Sequence, residues 1–567
     1  MSWLFPSLRG YRRDWLRGDL LAGLTVWAVL VPEALAYASI AGVSPVVGLY
    51  AAPGALILYA ALGSSRQLIA GPMSATAALS AATVAALVPI GSDRFTAMTA
   101  ALAITTGLAA LLAGVLRLGF VASFISEPVI KGFIVGLALT IIIGQVPKLF
   151  GIEKGSGDFF QQLWHILTHL GHTQGTTLLV GALSLAVILA LRRLAPVIPG
   201  SLVAVLLGIA AVKLLKLNDH GVSIVGPIKS GLPTFGTPDV HLRDFGTLLA
   251  GGIGVMLVGF AEGLGAAKTY AAREHYEIDA NRELLGLGGA NVAAGLSSGM
   301  VVNGSLSKTA VNGSAGGRTQ LSGLIVAALT ILTLLALTGL FEDLPETTLA
   351  AIVIAAVIEL VDYRALIDLY RAHTERLGRE FGFVARPDFI AAIAALLGVT
   401  VFDTLPGLFI GISISLLLLI YRASRPYIAT LGRELGSGGI FSDIDRHPDN
   451  ELPAHIAVLR IESSLYFANS DAVRARILNA AEADGITAVV LDAETIPFID
   501  VTAARMLAAL AEDLRGRDVT LLLAHAIGQV RDVLQSVIDD PAVTHFYPTV
   551  QAAVDSVQKQ MYPRAKQ

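Results

Sequence analysis

Apolar stretches long enough to cross a bilayer recur along this chain, near 20–40, 45–62, 96–116, 124–147, 176–194, 200–215, 246–268, 322–340, 347–361, 388–402 and 406–421. The bilayer core offers no water to backbone N–H and C=O groups, so segments of about 17–25 apolar residues persist there as helices that satisfy their own backbone. Three weaker segments, near 71–89, 284–299 and 305–318, complete a set of fourteen, several of them short for a full crossing. Composition agrees: 54% hydrophobic and 15% charged residues over 567 positions, with a mean hydropathy of +0.68, describe a polytopic α-helical membrane protein and exclude a soluble one. The 57 glycines suit closely packed membrane helices, and the absence of cysteine excludes disulfides and thiolate metal sites.

An even number of spans puts both termini on one side of the membrane. Arg66, Arg117, Arg192, Arg193, the basic stretch from Arg364 to Arg386, Arg422 and Arg425 fall on that same side, which the positive-inside rule assigns to the cytoplasm. Glu342, Asp343 and Glu346 fall outside, while Lys213, Lys216, Lys229 and Arg243 run against the rule near an outer loop. Residues 1–18, with Arg9, Arg12, Arg13 and Arg17, read as a basic cytoplasmic lead-in rather than a removed signal peptide.

Two glycine-punctuated polar segments interrupt the apolar pattern at corresponding places in the two halves: Gly71-Pro72-Met73-Ser74-Ala75-Thr76 and Asn303-Gly304-Ser305-Leu306-Ser307-Lys308-Thr309. Interrupted helices at matching positions of a duplicated membrane protein point to a transporter's binding site, because each exposes an amide-rich N-terminus at mid-membrane. The duplication shows at its starts, where Gly18-Asp19-Leu20-Leu21-Ala22-Gly23 resembles Gly246-Thr247-Leu248-Leu249-Ala250-Gly251. A lone carboxylate follows each, Glu33 and Glu262, and seven spans separate the starts, which inverts the second repeat. Two helix N-termini facing one another make an anion site.

After Tyr421 the composition turns globular. Residues 426–452 read as a linker, and 453–560 as a small α/β domain with strands at 457–461, 488–492 and 519–523 and helices at 470–484, 501–516 and 526–538.

The run Val31-Pro32-Glu33-Ala34-Leu35-Ala36-Tyr37-Ala38, continuing to Gly48-Leu49-Tyr50-Ala51, resembles the first-helix signature of the SulP anion transporters, the sulfate permease or solute-carrier 26 family. Gly63-Ser64-Ser65-Arg66, Gly71-Pro72, Ser307 to Asn312 and Gly316-Gly317-Arg318-Thr319-Gln320-Leu321 extend the resemblance, and Asp492 to Thr502 resembles the core motif of a STAS domain. The resemblance implies fourteen segments as two inverted sevens, about 19–215 and 246–425, divided into core and gate domains within a transport domain at 19–425. It also implies a homodimer and an anion pocket between the half-helices of segments three and ten, beside segments one and eight.

Under that resemblance the substrate site takes Ser74, Ala75 and Thr76 from one break and Ser305, Leu306, Ser307 and Lys308 from the other, with hydroxyls for anion oxygens and Lys308 as a flexible point charge, or else as a partner for a carboxylate. Glu33 and Glu262 are the candidates for ion or proton coupling, because a carboxylate inside a membrane helix is costly and marks ion pathways. For Glu262 the structural alternative is a hydrogen bond or ion pair tying helices together, with Lys268 or Lys308 as partners. Glu127 and Lys131 read as a helix-surface pair, and His165, His169 and His172 as an outer-loop cluster with no metal role. In anti-sigma-factor antagonists of the STAS fold a phosphorylated serine follows the motif aspartate; here Val501 follows Asp500, with Thr502 beside it.

The resulting expectation is a multi-pass cytoplasmic-membrane secondary transporter, not an enzyme, that needs no cofactor or metal and moves sulfate or a C4-dicarboxylate with protons by an elevator-like movement. A sodium-coupled bicarbonate carrier, a passive anion channel and a membrane-tethered regulator are the alternatives. Expected partners are the anion, a coupling proton or sodium ion, lipid, a second copy of the chain and a cytosolic protein for the STAS-like domain, with no nucleic acid.

Overall fold

The computed structural model describes residues 4–120, 126–155, 157–195, 198–228, 230–371, 386–402, 404–436, 438–538 and 545–561. They form two units, Met1–Ser415 and Leu416–Gln567. In the first half of the membrane unit stand α1 (Leu16–Ile40), α2 (Pro45–Leu62), the short strand β1 (Ile69–Gly71), α3 (Ser74–Ala85), α4 (Asp93–Val115), α5 (Glu127–Phe150), the amphipathic α6 (Phe159–His169), α7 (Gly175–Leu194) and α8 (Gly200–Leu215). The second half repeats the plan with α9 (Leu242–Arg273), α10 (Ala280–Leu296), the strand β2 (Asn303–Ser305), α11 (Leu306–Ser314), α12 (Leu321–Leu332), α13 (Glu346–Val357), the amphipathic α14 (Tyr363–Arg371), α15 (Pro387–Phe402) and α16 (Thr404–Ala423).

Among the described residues, eight helices are long and apolar enough to cross a membrane, and α3, α8, α13 and α15 are shorter apolar ones. The expected weak spans are where the count of fourteen needs qualification. The expected 71–89 and 305–318 become α3 and α11, of 12 and 9 residues, or about 18 and 14 Å at the α-helical rise. Each is about half a bilayer long, because the residues ahead of it are spent on a strand instead of a helical turn. Residues 284–299 lie within α10 and its C-terminal turn.

The first four helices of each half pack together, with α10 against α4 and α2, α9 against α4, and α1 and α2 against α12. A second group joins α5 to α15 and α13, and α7 to α13 and α8. Small residues set the separation: a β-carbon on Gly107 of α4 would stand 2.6 Å from the Gly288 carbonyl oxygen of α10, so only glycine allows this approach.

Two fully buried carboxylates fasten the loops of the first group. Glu283 accepts hydrogen bonds from Tyr59 Oη (2.7 Å), the Ser64 and Ser65 amides (2.8 and 2.9 Å) and Ser64 Oγ (2.7 Å). Asp19 accepts from the Arg318 and Thr319 amides (2.7 and 3.1 Å) and Thr319 Oγ1 (2.7 Å). Charge-assisted bonds to backbone N–H groups of this kind offset the cost of burying the carboxylate.

The second unit is a six-stranded sheet, ordered β4-β3-β5-β6-β7-β8, from β3 (Ile428–Arg433), β4 (Phe441–Asp443), β5 (Ile456–Ile461), β6 (Ala488–Asp492), β7 (Thr520–Ala524) and β8 (Phe546–Tyr547). The strands from β5 to β8 are parallel, and β3 runs antiparallel to both its neighbours. Helices α17 (Ser470–Ala481), α18 (Val501–Arg515) and α19 (Gly528–Val537) cover one face through Leu459, Leu491 and Leu523; α20 (Val550–Met561) covers the other through Val458, Val490 and Leu522. The segment expected as a linker at 426–452 carries β3 and β4. Its glycines and charges hide a half-buried alternation at Ile428–Arg433 that pairs with β5.

Candidate anion-binding site

The two breaks meet. β1 and β2 pair antiparallel with Ile69 opposite Ser305, Ala70 opposite Gly304 and Gly71 opposite Asn303. Because β1 leads into α3 and β2 into α11, this ladder brings the N-termini of the two half-helices together. The first amides of each helix lack partners within it and carry the positive end of its dipole. At α3 the N-cap is Met73, whose side chain caps nothing, whereas at α11 Ser305 Oγ accepts from the Lys308 amide at 3.3 Å.

Lys308 is buried, 1% exposed, and its Nζ lies 2.8 Å from Glu33 Oε2 of α1. The same ammonium donates to the Pro72 carbonyl (3.1 Å), in the turn that opens α3, and stands 5.0 Å from the centre of the Tyr37 ring. One cation thus touches α1, the α3 break and α11. Among the described residues the alternative for Glu262, an ion pair with Lys268 or Lys308, is not seen: Lys308 is paired with Glu33, Lys268 is exposed, and Glu262 Oε2 is buried without a hydrogen-bond partner.

Ser74, Ala75 and Thr76 form the buried first turn of α3, and the Thr76 hydroxyl donates to the Met73 carbonyl at 3.3 Å. Ser305 is buried and its Oγ lies 3.2 Å from that of Ser307, while Leu306 and Ser307 are exposed. The structure therefore gathers Glu33, Lys308 and both sets of break residues, and leaves Glu262 on the neighbouring α9.

A polar framework behind the site escaped the sequence reading. The Asn291 side chain mimics a strand neighbour for Val302, donating to its carbonyl (2.9 Å) and accepting from its amide (3.0 Å). Thr309 Oγ1 accepts from the Ile69 amide (3.1 Å), Asn312 Nδ2 donates to the Gln67 carbonyl (2.8 Å), and Gln320 Nε2 donates to the Ser65 and Leu68 carbonyls (3.0 and 2.8 Å). An amide side chain in an otherwise apolar run was the available signal, since strands of three residues need side chains where a wider sheet would supply backbone.

Elsewhere, Glu127 and Lys131 pair at 2.8 Å as their spacing implies, and the His165 and His169 rings stack 4.0 Å apart. Asp500 caps α18, accepting from the Ala503 amide at 2.8 Å, and the adjoining Val501 and Thr502 are exposed.

Paired half-helices in a two-fold repeated membrane unit, followed by a STAS-type sheet, define the class: a multi-pass membrane transporter of the SLC26 fold. The structure of SLC26A9 superposes with a TM-score of 0.86 over 99% of this chain and 94% of its own, at 22% identity. The transmembrane domain of the cyanobacterial bicarbonate transporter BicA gives 0.61 over 70% of this chain and 98% of its own, at 24% identity. The sulfate permease family model matches residues 16–377 and the STAS domain model residues 447–553. A probable sulfate transporter of Mycobacterium tuberculosis, MT1781, is 36% identical, with 98% of this chain and 97% of that protein covered. The chloroplastic sulfate transporter 4.1 of Arabidopsis thaliana is 31% identical, with 92% and 77% covered. The chain belongs to the sulfate permease family, and its class of function is anion transport.

Proposed function

We propose that the protein is a proton-coupled anion transporter of the cytoplasmic membrane, that sulfate is its substrate, and that C4-dicarboxylates such as fumarate are the nearest alternative. The ion pair between Lys308 and Glu33 at the meeting point of the two half-helices carries this reading. With Glu33 ionised, the lysine charge is cancelled and the carboxylate repels an incoming anion. A proton on Glu33 removes both effects and leaves the ammonium, with the amides of Ser74, Ala75, Thr76, Leu306 and Ser307, to meet the oxyanion. Proton and anion then bind together, and loss of the proton restores the ion pair and favours release. Glu262, whose Oε2 has no hydrogen-bond partner among the described residues, is a second carboxyl able to take the coupling ion.

The sulfate assignment is supported by the names of the M. tuberculosis and Arabidopsis relatives. An elevator-like displacement of the first helix group against the second, a homodimer, and cytoplasmic termini complete the proposal, with the transport domain at 19–425 and the STAS-type domain extended from about 453–560 to include β3 and β4. The test is uptake of labelled sulfate, fumarate and bicarbonate into proteoliposomes with and without an inward proton gradient. Native protein is expected to accumulate sulfate only with the gradient, and Glu33→Gln to lose that dependence. Equal dependence in both proteins would remove Glu33 from the coupling role, and accumulation that needs sodium in place of protons would replace the reading.

A further inference from the structure

The substrate site does not use the motifs Gly63-Ser64-Ser65-Arg66 and Gly316-Gly317-Arg318. They converge instead on a separate cavity of about 350 Å³, lined by Asp14, Trp15, Gly18, Arg66, Gln67, Glu274, Tyr276, Gly316 and Arg318. This volume lies at the lower end of the roughly 300–1,000 Å³ of pockets that take small organic ligands, and a bare tetrahedral oxyanion would leave most of it empty.

The charges lining the cavity are unevenly paired. Arg318 is engaged by Glu274, and Asp14 by Arg12 at 3.3 Å. Among the described residues Arg66 has no carboxylate partner; its guanidinium lies over the Tyr276 ring, 5.0 Å from the centroid, and the Tyr276 hydroxyl accepts from the Arg66 amide at 3.2 Å. Stacking holds the guanidinium plane while leaving its N–H edge open to an anion. α1, which contributes Gly18, continues a helical turn at Arg13–Trp15, where the Trp15 amide donates to the Arg12 carbonyl at 3.0 Å and the Leu16 amide to that of Arg13. Gln67 also lines the cavity, and its Nε2 donates to the Gly317 carbonyl at 3.1 Å.

The position of the cavity narrows the ligand. It sits where α1 begins and α9 ends, and Leu16, Leu20, Leu21 and Leu24 of α1 are 43–51% exposed, as leucines facing lipid would be. The cavity therefore opens at the boundary between the apolar belt and water, on the face that carries the N-terminus, with Trp15 in the position aromatic residues favour there.

The geometry points to a binding site for a hydroxylated phosphate ester, of the glycerol-phosphate kind, in this cavity. The phosphate meets the Arg66 guanidinium, and a hydroxyl donates to the Glu274 carboxylate. The same chemistry comes from a soluble glycerol phosphate or from a phospholipid headgroup. This site is distinct from the substrate site and does not depend on which anion is transported.

The test is equilibrium binding of labelled glycerol 3-phosphate to the full-length protein in detergent, and in nanodiscs of phosphatidylcholine with or without phosphatidylglycerol. Saturable binding is expected, weakened at least tenfold by Arg66→Gln and largely kept by Arg66→Lys, while Arg66→Gln retains sulfate uptake as its check of folding. Binding lost in phosphatidylglycerol nanodiscs identifies the lipid headgroup as the occupant; binding kept there identifies the soluble ester. Absence of saturable binding in both detergent and phosphatidylcholine nanodiscs, the same affinity in Arg66→Gln, or displacement by sulfate as effective as by glycerol 3-phosphate would overturn the assignment.

Discussion

Replacing Glu33 with glutamine removes a charge but keeps the size and shape of the side chain. Two unit charges 2.8 Å apart attract by about 6 kcal/mol at an effective dielectric constant of ~20. Desolvation takes back much of that, and measured couplings between close charge pairs begin at about 1.5 kcal/mol. A sulfate dianion seated on Lys308 must displace the Glu33 carboxylate or endure its repulsion, so the substitution is expected to tighten sulfate binding by at least about tenfold, the equivalent of ~1.4 kcal/mol. Scintillation-proximity binding of labelled sulfate to the native protein and to Glu33→Gln at one pH measures the difference. Weaker binding in Glu33→Gln would refute the reasoning and make Glu33 a positioner of Lys308.

Other expectations are independent of that one. Lys308→Met strands a carboxylate beside the half-helices and should cost roughly 3–5 kcal/mol, seen as a lower Tm in detergent; the double variant with Glu33→Gln should regain much of the stability without regaining sulfate binding. Gly107→Val forces α4 away from α10 and should cost at least about 1–3 kcal/mol by overpacking, read as a lower Tm with Gly107→Ala intermediate; equal Tm values would deny the close contact. Glu283→Ala leaves the Ser64 and Ser65 amides and the Tyr59 hydroxyl without their acceptor and should cost about 3 kcal/mol or more, with faster hydrogen exchange across residues 59–68. Asp500→Ala removes the cap of α18 and should cost ~1 kcal/mol, measured as faster exchange of the amides of residues 501–504 in the full-length protein.

The membrane elements were legible because their signals are local. Apolar runs set the long helices, and the glycines and hydroxyls of 71–76 and 303–309 marked the breaks. The strand content of those breaks was not legible, since three residues such as Ile69-Ala70-Gly71 have no period to detect and become a strand only when Asn303-Gly304-Ser305 arrives opposite. The partner of Lys308 was open for a similar reason: Glu33, Glu262 and solvent were all compatible with the sequence, and only the packing of α1 across α11 decides among them. In the second unit the buried parallel strands announced themselves as apolar runs, whereas β3, with Ala429 and Leu431 in the core, is flanked by glycines and charges that mask its alternation, and β8 has only two residues. The cavity at Arg66 was invisible for the opposite reason, because its residues come from four separate stretches that carry no common pattern.

The ladder between β1 and β2 has a consequence for how a substrate can travel. Had the two half-helices been free of one another, each would grip an anion alone, and gathering them around it would charge every binding event with the entropy of alignment. Tied edge to edge, they are instead two jaws cast as one piece, set before the anion arrives. Such a piece cannot hand its cargo from one jaw to the other without breaking backbone hydrogen bonds inside the membrane, where they are hardest to replace. In the elevator-like movement proposed above, the anion would ride with the piece, held at the same atoms from one side of the bilayer to the other.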